Sequence, residues 1–363
     1  MKISEQSPEF ANHEPSTSRR GLFQAAGAAT AAALLPAELA YAAAEGRDGP
    51  YPVRPAPIYF PSRYQADVSL QGARIVVTGA SRGIGRATAL ELAKAGAKVW
   101  GTSRTPGDYP SITEYPLLPL RLEDPASIAA FVPAIGAATG GRVDALINNA
   151  GQFVFGGSTP LKAAQFNLWA EKSALAMQVL YLGPRMLTIA MLGLMQHTGR
   201  RRILFTASTA AYSSHSDVAS EFYHPYVAGK RAIADFANTL RNWFALIKLD
   251  IGVSTVNPVF THTDGPLGLR PIFTEPVDSA GNPDPASPLA VMLPQFRAVA
   301  LASQPPEIVA RAYRQLLEMN APHPNVIAGV SDGPLAEAGQ VARILAARQK
   351  EMEEGAMPWK PGN

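Results

Sequence analysis

The chain contains no cysteine. That excludes disulfides, thiolate metal sites and a cysteine nucleophile, and it leaves no thiol to constrain the compartment in which the protein works. Charge of one sign is also scarce. The formal net charge is +3 over 363 residues, and no lysine/arginine stripe is interleaved with aromatics, so a nucleic-acid partner is not expected. The basic triplet Arg200-Arg201-Arg202 reads as a solvated strand entrance. None of the six histidines stands at a spacing that suggests a metal site, so no metal is expected. No internal repeat is visible. Hydrophobic residues reach 47% and charged ones 17%, the balance of a folded globular chain.

Proline, alanine and glycine are plentiful, and their placement divides the chain. Ser18-Arg19-Arg20-Gly21-Leu22-Phe23 sets an arginine pair before hydrophobes, and an alanine-rich run follows from about Ala25 to Leu35. The run is roughly a dozen residues, whereas a membrane-spanning helix needs about 20. Small residues around Ala40-Tyr41-Ala42 follow it. Residues 1–42 resemble a twin-arginine (Tat) export signal, cleaved near Ala42 or Ala44, which implies a periplasmic or otherwise exported protein. If the arginine pair is accidental, the chain is cytoplasmic. No stable membrane span is expected. Residues 43–71 carry Pro50, Pro52, Pro55, Pro57 and Pro61 with Tyr51, Tyr59 and Phe60. They read as an extended arm that packs on a surface.

From residue 72 the texture alternates. Short apolar runs at Arg74–Val77, Lys98–Trp100, Leu117–Leu120, Val143–Ile147, Ile203–Phe205, Ile251–Val256 and Asn325–Val330 read as strands. Helical stretches at about 125–138, 170–195, 228–249 and 306–318 separate them, as does one that holds Ala89, Leu92 and Ala93 and is ended by Gly96. Strict alternation implies an α/β fold: one domain, residues 72–334, built as a Rossmann-type doubly wound parallel sheet of about seven strands. The proline-rich stretch 264–305, with Leu267, Leu269, Ile272, Phe273, Leu289 and Met292, is too long for a plain connection and reads as a lid. Residues 335–363 read as a terminal helix and tail.

Directly after the first run of that domain comes Thr78-Gly79-Ala80-Ser81-Arg82-Gly83-Ile84-Gly85. Glycines at this strand-to-helix junction permit a tight turn and let the backbone approach a pyrophosphate at a helix start. Tyr226 and Lys230 are four apart, which stacks them on one helical face.

These residues resemble the short-chain dehydrogenase/reductase family. Gly79, Gly83 and Gly85 match its TGxxxGxG turn, Asn148-Asn149-Ala150-Gly151 its NNAG, and Tyr226-Val227-Ala228-Gly229-Lys230 its YxxxK, with Ser208 upstream. The resemblance spans about residues 72–330. It implies an oxidoreductase moving a hydride between a nicotinamide cofactor and a ketone or secondary alcohol, its small-molecule substrate. Tyr226 would be general acid/base, helped to ionise by a neighbouring ammonium and by the nicotinamide. Lys230 would hold the nicotinamide ribose, and Ser208 the substrate oxygen. The expected cofactor contacts are Gly79, Ser81, Arg82, Gly83, Ile84, Gly85, Ser103, Arg104, Asn149, Ala150, Gly151, Tyr226, Lys230, Pro258 and Thr263.

Where NAD users of the family place a carboxylate after the second strand, this chain has Ser103-Arg104, with Arg82 in the glycine turn. Guanidiniums suit a 2′-phosphate, so NADP is expected over NAD. Three positions depart from the family. Leu180 replaces the proton-relay asparagine, Arg121 stands where an aspartate meets the adenine, and Asn257-Pro258-Val259 replaces Asn-Pro-Gly. Because of Leu180, an exported NADP-binding protein with weak or no catalysis is the alternative. His224 and His262 read as polar lining. The family's habit implies a homodimer or homotetramer through the long helices near Gln178 and Ala232.

Overall fold

The computed structural model describes residues 58–59, 66–152, 163–212, 220–259, 261, 263 and 304–329. The segments expected to be an export signal (1–42), a lid (264–305) and a terminal helix and tail (335–363), with most of the proline-rich arm and His262, lie outside the described residues, save Gln304 and Pro305.

Seven strands run parallel, as the alternation implies. In chain order they are β2 (Arg74–Val77), β3 (Lys98–Ser103), β4 (Leu117–Pro119), β5 (Ala145–Asn148), β6 (Arg202–Thr206), β7 (Gly252–Pro258) and β8 (Asn325–Ala328). An eighth strand comes from the arm: β1 (Ile58–Tyr59) pairs antiparallel with β8, Ile58 against Ala328. The arm therefore covers one sheet edge, which an exposed row of backbone donors and acceptors would otherwise leave open. The spatial order is β1-β8-β7-β6-β5-β2-β3-β4. The direction of winding reverses between β2 and β5, and the crevice at the carboxyl ends of those two strands is where such sheets bind ligands.

The helices form for local reasons. α1 (Gly83–Lys94) starts at the glycine turn and stops at Gly96, whose φ of +87° ends the helical path. α2 (Pro125–Thr139) has proline in its first turn, the Asp124 carboxylate accepting from the Ala126 N–H at 2.9 Å, and left-handed Gly140 at its end. α3 (Ala163–Met177) passes through a π turn (Gln178–Leu182) into α4 (Gly183–Met191). Residues Ala170–Met195 are long and apolar enough to cross a bilayer by composition, yet Leu180, Leu187 and Met191 are buried within the domain. α5 (Ser220–Leu246) begins eight residues before the expected start, with Pro225 inside it. α6 (Pro306–Glu318) packs on α1, where Arg314 bridges Glu91 and Glu318.

Two apolar layers flank the sheet. One joins Val76, Leu146, Ile203 and Phe205 to α2, α4 and α5, and the other joins Val77, Ile147, Leu204 and Val256 to α1 and α6. The arginine triplet departs from expectation. Arg202 is only 6% exposed, and its guanidinium donates to the carbonyls of Arg201, Met319 and Asn320. Arg200 donates to Leu317 O and Asn320 Oδ1. Arg200 and Arg202 clasp the end of α6 to the start of β6, satisfying carbonyls that a helix end leaves without intrahelical partners. Burial pulls Arg202 down to about 10.

Candidate active site

The glycine turn leaves β2 and enters α1 with almost no free space. Gly79 has φ +66°, and a methyl group on it would lie 2.9 Å from Ala150 Cα. A methyl on Gly85 would lie 2.1 Å from Gly79 O and 2.5 Å from Asn149 Nδ2. Among the described residues no side chain caps the start of α1 at Arg82, which suits its first N–H groups to a ligand. Such a cradle fits the pyrophosphate of a dinucleotide. Ser81 is buried and Ile84 half-buried. Thr263 closes over the turn, its Cβ 3.0 Å from where a methyl on Gly83 would be.

The loop after β5 is bound to this turn. Thr78 Oγ1 accepts from the N–H groups of Asn149 and Ala150, each at 2.9 Å, and Asn149 Nδ2 donates to Thr78 O at 3.0 Å. Gly151 follows, exposed, on the side of Lys230. Tyr115 is buried beneath the turn and donates to Ala80 O at 2.8 Å. Thr102 accepts from Gly79 N at its hydroxyl (3.2 Å) and from Ala80 N at its carbonyl (2.9 Å), so Thr78, Thr102 and Tyr115 set the turn's shape. None of the three is among the residues whose types and spacing point to cofactor contact. Only Thr78 carried a signal, as the first residue of the glycine motif.

Ser103 is buried, its hydroxyl accepting from Thr105 N at 3.3 Å. Arg104 is exposed and donates to Gln152 Oε1 at 3.3 Å. Arg82 is half-buried at the start of α1. The two arginines therefore follow the carboxyl ends of the neighbouring strands β2 and β3. Arg121 is exposed and pairs with Glu123 at 3.5 Å. Pro258 ends β7, its carbonyl accepting from Thr209 Oγ1 at 3.3 Å. His224 is exposed on α5.

Ser208, Tyr226 and Lys230 come together. Ser208 follows β6 and its side chain hydrogen-bonds that of Tyr226. One helical turn along α5, Lys230 Nζ lies 5.7 Å from the Tyr226 ring centre and donates to Thr206 O at 2.7 Å. Leu180, at the π turn, is 2% exposed and belongs to an apolar cluster with Ala176, Tyr226 and Val227. Its side chain fills the space against Gly151 and Gly229, since methyls there would lie 3.1 Å and 2.8 Å from it.

The electrostatics correct one expectation. In the protein alone the Tyr226 phenol is not lowered: burial pushes it up to about 12, with Ser208 opposing. Burial also pulls Lys230 down to about 8. Desolvation disfavours both charged forms. For Lys230 this has a consequence for stability. Between about pH 8 and the ordinary lysine range, the unfolded chain holds more protons than the folded one, so stability rises with pH across that window. Below it, the buried ammonium costs on the order of 3 kcal/mol. Relative to Lys230→Met, the wild type is expected to gain roughly 2–3 kcal/mol in urea unfolding between pH 7 and pH 10. Parallel stability profiles for the two proteins would count against this burial.

The short chain dehydrogenase family model matches residues 73–268, more than half of the chain. Among curated proteins, 3-oxoacyl-acyl-carrier-protein reductase FabG of Escherichia coli is 45% identical over 89 residues, 23% of this chain and 36% of that protein. D-erythrulose reductase of Gallus gallus is 45% identical over 87 residues, 24% and 35%. The chain thus spans about a third of the length of these relatives. It covers more of the Vibrio cholerae FabG reductase, 30% identical over 202 residues, 54% of this chain and 77% of that protein. Among solved structures, a short-chain dehydrogenase of Streptomyces avermitilis superposes with TM-score 0.57 at 22% identity, over 81% of this chain and all of its own. A Burkholderia phymatum short-chain dehydrogenase/reductase in complex with NAD superposes with TM-score 0.57 at 22% identity, over 82% and 99%. A Burkholderia cenocepacia short-chain dehydrogenase in complex with NADP gives 0.51 at 20%, over 74% and 99%. By its family match and its fold, the chain belongs to the short-chain dehydrogenase family.

Proposed function

We propose that the chain is an NADP(H)-dependent carbonyl reductase or alcohol dehydrogenase acting on a ketone or secondary alcohol. The observation that carries this reading is the Ser208–Tyr226 hydrogen bond with Lys230 one helical turn away, beside a turn too tight for any residue but glycine at position 85. Gly79, Gly83, Gly85 and the free start of α1 would hold the pyrophosphate, and Asn149, Ala150, Gly151, Pro258 and Thr263 the nicotinamide half. Bound there, the cofactor supplies a hydride to a carbonyl carbon or takes one from an alcohol. Tyr226 gives its phenolic proton to the carbonyl oxygen in reduction and takes it back in oxidation. Ser208 donates to the same oxygen as negative charge develops on it. That the E. coli and Gallus relatives are named as reductases of carbonyl compounds supports the substrate class.

Arg82 and Arg104, with no carboxylate after β3, support NADP over NAD. The twin-arginine segment supports export of the folded protein with its cofactor already bound. The apolar side chains of Leu175, Leu182, Met186 and Ile189, exposed along α3, the π turn and α4, support self-association there. One preparation tests all three. The exported chain is purified without nucleotide, its N-terminus mapped, its mass in solution measured and its denatured supernatant assayed. Near-stoichiometric NADP, a start near residue 43 and a dimer or larger assembly are expected. In titrations, Arg82→Ala/Arg104→Ala should weaken NADPH by roughly 10- to 100-fold and leave NADH nearly unchanged. NAD in the supernatant, or equal binding of both nucleotides by the wild type, would overturn the cofactor assignment.

A second reading rests on Leu180. Its side chain gives Lys230 an apolar neighbour where a polar one would hold water, so an exported NADP-binding protein with weak or no turnover remains the competing function. Turnover of a panel of ketones by the purified protein separates the two.

A further inference from the structure

Thr206, at the carboxyl end of β6, is a junction that the proposed reaction does not use. Its carbonyl accepts from Lys230 Nζ. Its hydroxyl lies 3.3 Å from Asn149 Oδ1 and is also hydrogen-bonded to the hydroxyl of Tyr313, a fully buried residue on α6.

The direction of each proton follows from the chemistry of the groups. Asn149 Nδ2 points at Thr78 O and, at 3.5 Å, Gly79 O, so its Oδ1 is the atom that faces Thr206. An amide oxygen only accepts, and a threonine hydroxyl has one proton, which it gives to Asn149. Tyr313 must therefore donate to Thr206. Burial pushes the Tyr313 phenol above its ordinary value, which keeps that proton in place. The result is an ordered chain: Tyr313 to Thr206, Thr206 to Asn149, Asn149 to the carbonyls of Thr78 and Gly79. Such buried chains hold one geometry when every member is satisfied. This one ends at the turn where Gly85 leaves no spare room.

We propose that Tyr313 is a positioning residue for the nucleotide-binding turn: through Thr206 it orients the Asn149 amide, which holds the glycine turn and the loop after β5 in their binding geometry. The proposal rests on the reading that this turn takes NADP(H). It makes α6, more than 100 residues distant in sequence from the catalytic tyrosine's neighbours on β6, part of the cofactor site's support.

Packing and hydrogen bonding can be separated, because phenylalanine at 313 keeps the ring and loses only the donor. The test uses the full chain as wild type, Tyr313→Phe, Thr206→Val, Thr206→Ser and the Tyr313→Phe/Thr206→Val double variant. NADPH affinity is read by fluorescence titration and by kcat and KM. Amide exchange is read on nucleotide-free protein over residues 78–85 and 148–151, with 125–139 as reference. Tyr313→Phe and Thr206→Val should each weaken NADPH by roughly tenfold, KM rising more than kcat falls. Exchange should quicken at 78–85 and 148–151 and hold at 125–139. Thr206→Ser should recover most of what Thr206→Val loses, and the double variant should lose no more than the worse single one. Unchanged affinity and local exchange in Tyr313→Phe would overturn the proposal. So would faster exchange everywhere, which would make the residue ordinary core, or losses that simply add. A wild type that binds no dinucleotide would sink the functional reading alone, since exchange in the nucleotide-free protein still decides the positioning role.

Discussion

Tyr226→Phe is expected to lower kcat for ketone reduction by roughly 1,000-fold while leaving NADPH affinity within about threefold, in keeping with the usual worth of a positioned proton donor. The phenol is the group that hydrogen-bonds Ser208, so its loss removes the proton and leaves the ring packed among Ala176, Leu180 and Val227. Cofactor contacts on the glycine turn are untouched. The pH profile gives a second readout. Burial holds the phenol near 12 in the protein alone, so at neutral pH it is protonated and competent for reduction. Oxidation needs the ionised form, which must be reached with the help of a cationic neighbour, and Lys230 itself is pulled down to about 8. Reduction should therefore vary little between pH 6 and pH 8, whereas oxidation should climb with pH across that range. Single-turnover and steady-state rates at saturating NADPH check the first effect. A variant that keeps more than a tenth of the wild-type kcat would remove Tyr226 from the chemistry and favour the binding-protein reading.

How far the sequence alone leads depends on the range of the interaction involved. The seven parallel strands were legible because each is a short apolar run whose pattern is local, and α1 because glycines bracket it. The meeting of Ser208, Tyr226 and Lys230 was legible because Tyr226 and Lys230 are a helical turn apart and Ser208 follows an apolar strand. Elements whose partners lie far away were not. Nothing in Ile58-Tyr59 announces pairing with Ala328 and Ile327 some 270 residues on. Arg202 looked solvated because its acceptors, the carbonyls of Met319 and Asn320, belong to a distant helix end. The early start of α5 was hidden by Pro225, a residue that usually ends helices and here is carried inside one. Tyr313 carried no signal at all: in its own segment it is one more large residue on the buried face of α6, and only the meeting with Thr206 gives its hydroxyl a task. The phenol of Tyr226 shows the same limit in electrostatic form. The adjacent lysine is visible in the sequence, but the burial that raises the phenol is not.

Gly85→Ala should weaken NADPH binding on the order of 100-fold, with the fold retained. The added methyl would sit 2.1 Å from Gly79 O and 2.8 Å from Gly79 C, and both are backbone atoms that cannot swing aside. The third neighbour, Asn149 Nδ2 at 2.5 Å, is no freer, because it is held by Thr78 O on one side and by Thr206 through Oδ1 on the other. Relief must come from the turn itself, so Gly79 and the start of α1 move apart and the N–H groups lose their common aim at a pyrophosphate. Most of the strain falls on the ligand site and little on the sheet, whose ladders from β2 to β3 and β5 lie before the turn. Gly107→Ala supplies the contrast, since among the described residues nothing lies within 4 Å of a methyl there. It should bind NADPH as the wild type does. If Gly85→Ala bound NADPH equally well, the cradle would not be the nucleotide site, and the motif would mark only a close crossing of strand and helix. Loss confined to Gly85→Ala instead ties the tightest contact in the turn to the ligand it is shaped to hold.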